Sequence, residues 1–371
     1  MLFGVKPQGK LIFVVDIQSS AINGTLFLFT EAESKVIFET AMHLPPRTNA
    51  ASGRLIKSVL KAVSAITLSA TRHLYNISAS GQNPSLPKRI AETHIILSSP
   101  WIVSQAKRID IDFEKETSVT SGLVMNLINK EREAIPAGKN DPIRVIEQKI
   151  FDVKMNGYSL EKWEGRTAKT LSILYAASFA SSRMIEMLAR DTSHYTRTNN
   201  VKFHSAILLS EIAAEKFYDG GSDFGIVYVH GDITDVAIVT NHCLAFSGSF
   251  PMGYRTTVKK LSSLIPSDIQ TAESAITLYT GGCLDKAESR KEHSSIEKVS
   301  SIWKDQFSDL INTNPQAIIP ASIFVVACPH EEFFSSAVSS LYPKIGVKTI
   351  SSDSYARDVI HNMEFRNHVL K

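Results

Sequence analysis

Apolar residues come first as a block, Leu11-Ile-Phe-Val-Val15, and then in alternation along Asn23-Gly-Thr-Leu-Phe-Leu-Phe29, with the polar turn Asp16-Ile-Gln-Ser-Ser20 between them. A block, a turn and an alternating run predict a β-hairpin, and Val36-Ile-Phe-Glu-Thr40 predicts the strand that follows it. Leu55, Val59, Leu60, Val63, Ile66 and Leu74 recur at helical spacing, so an amphipathic helix should pack across that sheet. The Ser-, Gly-, Asn- and Pro-rich run from Asn76 to Pro87 has no periodicity and reads as a surface loop.

Beyond this loop the pattern predicts a compact α+β unit. His94-Ile-Ile-Leu97 and Ile102 to Ile111 read as strands, Thr120 to Arg132 as a helix, Val145 to Met155 as a strand turning at Asn156-Gly157, and Thr170 to Tyr175 as another strand. Ser178 to Arg190 predicts a helix. Phe224-Gly-Ile-Val-Tyr-Val229, a polar turn, and Val236-Ala-Ile-Val239 then repeat the first hairpin about two hundred residues later, the mark of a duplicated core. Thr256 to Leu264, Ser295 to Ile311 and Glu332 to Leu341 predict helices, and Ile323 to Val326 and Val347 to Ile350 predict strands.

Composition narrows the function classes. The 371 residues include 40 Lys+Arg against 37 Asp+Glu, a net charge of +3, which does not suit a nucleic-acid binder built on bulk charge. Hydrophobic residues at 43% and charged ones at 21% fit a folded chain of two or three domains. Three scattered cysteines, Cys243, Cys283 and Cys328, form neither a disulfide framework nor a zinc half-site, so a reducing, cytoplasmic setting is expected. The apolar run Leu11 to Val15 is far shorter than the ~20 residues of a membrane span. Asn362 to Lys371 lack the large apolar residues of a membrane-binding amphipathic helix.

In their order along the chain, several motifs resemble the actin-like ATPase superfamily and, within it, the bacterial cell-division protein FtsA and the type IV pilus assembly protein PilM. Asp16-Ile17-Gln18-Ser19-Ser20 is similar to a first phosphate loop of the form D-I-G-[ST]-S, and Tyr228 to Asp235 to a second of the form D-I-G-G-G-T-T-D. Phe250-Pro-Met-Gly-Tyr254 is similar to I-P-x-G-G, and the stretch from His94 to Tyr175 resembles the inserted module called SHS2 in FtsA. The resemblance implies an α/β, ribonuclease H-like fold of two actin-like lobes with an inserted SHS2-like module. The expected boundaries are 1–91 for the first part of the first lobe, 92–177 for the module, 178–205 for the return to the first lobe and 206–371 for the second.

Glycines in such loops let backbone N–H groups approach phosphate oxygens, while a carboxylate holds Mg²⁺ or a water. Here Gln18 stands at the first loop's glycine, and Tyr228, His230 and Asp232 replace an acid and two glycines of the second; Asp232 is expected to face an anionic ligand. The third loop, T-G-G in the family, is matched by Val325 to His330, with Cys328 and Pro329 at the glycines. The remnant nucleotide-binding residues are therefore Asp16, Ser19, Ser20, Gly231, Thr234 and Asp235, in a site expected to have lost ATP and Mg²⁺ binding.

Each of these residues has a plainer reading. Asp16 caps a hairpin turn with Ser19 and Ser20, Thr234 and Asp235 serve an Asx-type turn, and His230 and Asp232 are exposed loop residues rather than an acid–base or metal pair. Cys328, His330, Glu331 and Glu332 are a ligand-rich cluster, but acidic residues also favour a helix N-terminus. Trp101, in Ser98-Ser-Pro-Trp-Ile102, is either a partner-binding anchor or a core residue. No residue is nominated as catalytic and no metal site is expected.

The functional expectation is a scaffold without enzymatic turnover, cytoplasmic or peripheral to the inner face of the membrane. It would bind division-ring or pilus-platform proteins, self-associate, and reach the membrane only through a partner. The alternatives are an ATPase with drifted loops that still organises ATP and Mg²⁺, and a sugar or acid kinase of the same superfamily.

Overall fold

The computed structural model describes residues 9–30, 34–45, 52–80, 83, 85–133, 142–217, 221–284, 289–327 and 329–351. The first lobe opens with a meander of β1 (Lys10–Ile17), β2 (Ala21–Phe29) and β3 (Ser34–His43). Helix α1 (Ser52–Ser80) leads to β4 (Ile90–Leu97), which lies parallel to β1. The chain then leaves for the inserted module and returns through α3 (Ser182–Thr196) to β9 (Val201–Ser205), parallel to β4. The sheet order is β3-β2-β1-β4-β9. Val59, Val63 and Ile66 of α1 pack on Phe13, Val15 and Leu26, as the spacing predicted.

The second lobe repeats this plan. It has β10 (Phe224–Val229), β11 (Thr234–Thr240) and β12 (Cys243–Phe250), then α5 (Tyr254–Leu264), α6 (Ile269–Thr280), α7 (Arg290–Asn312), β13 (Ser322–Ala327), α8 (Glu331–Leu341) and β14 (Gly346–Ser351). Its sheet order, β12-β11-β10-β13-β14, reproduces the first, with β10 antiparallel to β11 and parallel to β13. Between the lobes runs α4 (Ala206–Phe217), whose Leu208, Leu209 and Ala213 fill a core shared by Ile12 and Val14 of one sheet and Ile226 and Phe324 of the other.

The inserted module comprises β5 (Ile102–Ser118), α2 (Ser121–Glu133), β6 (Ile143–Met155), β7 (Tyr158–Ser159) and β8 (Thr167–Ser181), ordered β5-β8-β6-β7 around Ile109, Val124, Ile128 and Ile173. Its extent differs from the expected 92–177. His94 to Leu97 belong to the first lobe's sheet, because β4 is buried on both faces, the signature of a central parallel strand. At the other end Ser178 to Ser181 continue β8 rather than starting a helix. The module is fastened to the start of α4: the Glu147 carboxylate accepts from the Ser205 N–H at 3.0 Å, Ser104 Oγ lies 2.9 Å from Ser205 Oγ, and Lys149 pairs with Glu211 at 2.7 Å.

Candidate functional site

The site forms where the two repeated hairpins meet. Each hairpin closes with a tight polar turn: Gln18 N–H donates to Ala21 in the first lobe, and His230 N–H donates to Ile233 in the second. The resemblance in sequence implies a phosphate-binding cleft between these two turns. Here they touch. Ser19 Oγ accepts from the Asp232 N–H at 3.0 Å, and a Cβ added at Gly231 would stand 1.8 Å from Ser20 Oγ. Gly231 is thus required by the approach of the other lobe. Gly253 is required inside its own lobe, where a Cβ would fall 2.0 Å from the His230 carbonyl oxygen.

The charged groups are committed in the same way. Asp232 does not present a free negative charge: Arg255 Nε donates to its carboxylate at 2.8 Å, a second guanidinium nitrogen pairs with its other oxygen, and the third donates to the Leu44 carbonyl of the first lobe at 2.8 Å. This fork spans the cleft and corrects the expectation of an unpaired anion facing a ligand. His230 is not an exposed loop residue either. It is 2% exposed, donates through Nε2 to Asp235 at 3.0 Å, and lies against the Tyr228 ring at a centroid distance of 4.0 Å. The reason is Tyr228 itself, an aromatic ring at an otherwise polar position that covers the imidazole.

The remnant residues divide between the two turns. Asp16 accepts from Gln18 Nε2, within the turn, at 2.6 Å and from Asn23 Nδ2 at 3.4 Å. Burial pushes its carboxyl above the usual carboxylate range, against the opposing effects of Gln18, His230 and Asn23. Gln18 Nε2 also lies 3.3 Å from the Tyr228 hydroxyl, another contact between the lobes. The Asp235 carboxylate, besides accepting from His230, accepts from the Ser99 N–H at 3.3 Å. Thr234 turns inward, donating to the Met252 carbonyl at 2.7 Å and accepting from Trp303 Nε1 at 3.2 Å. Ser19 and Ser20 are both buried.

Trp101 sits beneath the first turn. It is 7% exposed, belongs to the first lobe's core, and donates through Nε1 to the Gln18 carbonyl at 2.9 Å. A partner-binding anchor needs an accessible face, so this placement corrects that reading in favour of core filling. Of the third loop, Cys328 lies outside the described residues; His330 takes a left-handed conformation before α8, whose first turn carries Glu331 and Glu332. Among the described residues no group of three or more His, Cys, Asp or Glu could hold a metal ion. As placed, the residues do not fit a triphosphate with its magnesium ion, since the room between the turns holds Ser20, Gln18 and the Asp232–Arg255 pair.

Sequence reasoning missed Arg255, Ser99 and Asn23. The first could have been suspected from an arginine two residues beyond Gly253, at a helix start where a buried acid needs a partner. Nothing in the chain's pattern pointed to the other two.

No protein-family model matches the sequence, and no curated protein matches it. Solved structures do. A chain of the PilM–PilN type IV pilus biogenesis complex superposes with a TM-score of 0.59 at 9% identity, over 94% of this chain and 88% of that one. The ethanolamine utilization protein EutJ from Carboxydothermus hydrogenoformans gives 0.48 at 10% identity over 93% and 86%, and MreB 5 of Spiroplasma citri bound to AMPPNP gives 0.47 at 9% over 98% and 98%. The first of these establishes the fold: the chain has the two-lobed actin-like architecture and resembles PilM in it. No described helix is long and apolar enough to cross a membrane.

Proposed function

We propose that the protein is a PilM-like scaffold that engages partner proteins and has given up the nucleotide site of its fold. The observation that carries this reading is the direct contact of the two turns, Ser19 with Asp232 and Ser20 with Gly231, where a phosphate-binding cleft would have to be open. The Arg255 fork to Asp232 and Leu44 supports it, because a guanidinium ties the lobes together where a bound ligand would otherwise bridge them. The resemblance to a chain of a pilus biogenesis complex favours an assembly-platform partner over a division-ring one, with self-association as a further property of such a scaffold.

Titration calorimetry with ATP and Mg²⁺ tests the reading, with a second arm measuring capture of the cytoplasmic segments of pilus-platform proteins without nucleotide. We expect no saturable heat below millimolar ATP, and capture that added ATP does not alter. A micromolar ATP site would overturn the proposal and favour an ATPase with drifted loops in which Asp16, Thr234 and Asp235 organise the metal and phosphates.

A further inference from the structure

From residue 40 to residue 91 the chain contains seven Lys or Arg and not one Asp or Glu, although the whole sequence holds 40 basic and 37 acidic side chains. This stretch contains α1, the outer helix of the first lobe. At 100° per residue, Lys57, Lys61, Arg72 and Tyr75 fall within an arc of about 60°, opposite the buried Val59, Val63, Ile66 and Ala70. All four are exposed, Tyr75 to 72%. They form a line about 27 Å long, at 1.5 Å per residue. No acidic residue on the helix neutralises them, and the exposed Lys88 and Arg89 follow where the chain enters β4. The neighbouring α3 is mixed in charge, with Asp191 already accepting from Arg190, so the cationic strip is confined to α1 and its exit.

We infer that this face of α1 docks on an anionic phospholipid surface. Charge complementarity selects the partner. The cations are spread along the convex side of a helix instead of converging on one point, which suits a plane of mobile negative headgroups. Tyr75, apolar in its ring and polar at its tip, is the residue type that settles at headgroup level. Attraction of this kind is additive over the basic residues and is screened by salt. The inference is independent of the state of the cleft and adds a direct membrane contact to the partner-mediated one expected from sequence.

Cosedimentation of the full chain with vesicles tests it, using phosphatidylcholine alone and phosphatidylcholine containing about one-third phosphatidylglycerol. The protein should sediment with the anionic vesicles only and be released by high salt. Combining Lys57→Glu, Lys61→Glu and Arg72→Glu should weaken this binding by roughly tenfold or more. The matching triple Lys259→Glu, Lys260→Glu, Lys298→Glu on exposed positions of the second lobe changes net charge equally and should leave binding intact. Replacing Lys57, Lys61 and Arg72 by Gln covers the case in which reversed charges unsettle the helix. Failure to bind anionic vesicles, equal sedimentation with neutral ones, or equal loss in the α1 and second-lobe triples would overturn the inference; the first of these would leave the strip to an acidic protein.

Discussion

Replacing Trp101 by alanine removes two things at once, an apolar plug in the first lobe's core and the donor that holds the Gln18 carbonyl. Truncation of a buried tryptophan costs about 3–5 kcal/mol. Trp101→Ala should therefore lower the denaturant midpoint markedly, with partner capture falling only as far as the folded fraction falls. An unchanged unfolding curve with selective loss of capture would return Trp101 to an interface. The same indole shows what can be read from residue types alone. Ser98-Ser-Pro-Trp-Ile102 marks the end of a strand, but whether its aromatic faces inward depends on Gln18, eighty-three residues away in sequence.

At the scale of elements, the junction between module and lobe is sharp. Ser181 closes β8, and its Oγ accepts from the Met184 N–H at 3.1 Å, capping α3. Loss of such a cap costs about 1 kcal/mol. Ser181→Ala should lower the free energy of unfolding by that amount while leaving the circular dichroism of the folded state unchanged; no loss would show that the cap is replaced by solvent. Elements with strong local patterns were legible in advance: the two hairpins, α7 and α8 stand close to where their apolar spacing puts them, while α1 follows its spacing but continues through Asn76 to Ser80, which the composition had marked as loop. The short β9 and α6, with three threonines in twelve residues, were not, because their order comes from packing beside β4 and against α5 and α7 rather than from a pattern of their own. The turns at residues 18–20 and 230–233 could be identified as loops of one kind. Their contact depended on how two lobes close, and no local pattern encodes that.

Across the molecule, a buried polar chain links the strands that carry the first lobe to its edge. His94 Nδ1 meets His204 Nε2 at 3.0 Å between β4 and β9, and His94 Nε2 meets Glu92, which also pairs with Lys202 at 2.9 Å and with Lys10. Burial holds His94 below its ordinary value of 6.5, outweighing the pull of Glu92 in the other direction. The unfolded chain then takes up a proton before the folded one does, so stability is full above pH 6.5 and is lost as the pH falls below it. Glu92 is held well below the usual carboxylate range, chiefly by His94 and then by Lys10 and Lys202. Its contribution is complete above its ordinary value of 4.5 and declines as the pH drops further. Melting temperature should accordingly fall as the pH drops below 6.5, where His330, also held low by burial, acts in the same sense and the raised Asp16 in the opposite one, and His94→Gln should diminish that fall. A fall of equal size in that variant would place the proton uptake elsewhere.

The seating of the inserted sheet on the first residues of α4 has a mechanical corollary. Ser205 is gripped by Ser104 and Glu147 at the point where the chain passes from one half of the molecule to the other. A force applied to that sheet would therefore pass through these contacts into Ser205 and α4, which a flexibly tethered module could not transmit.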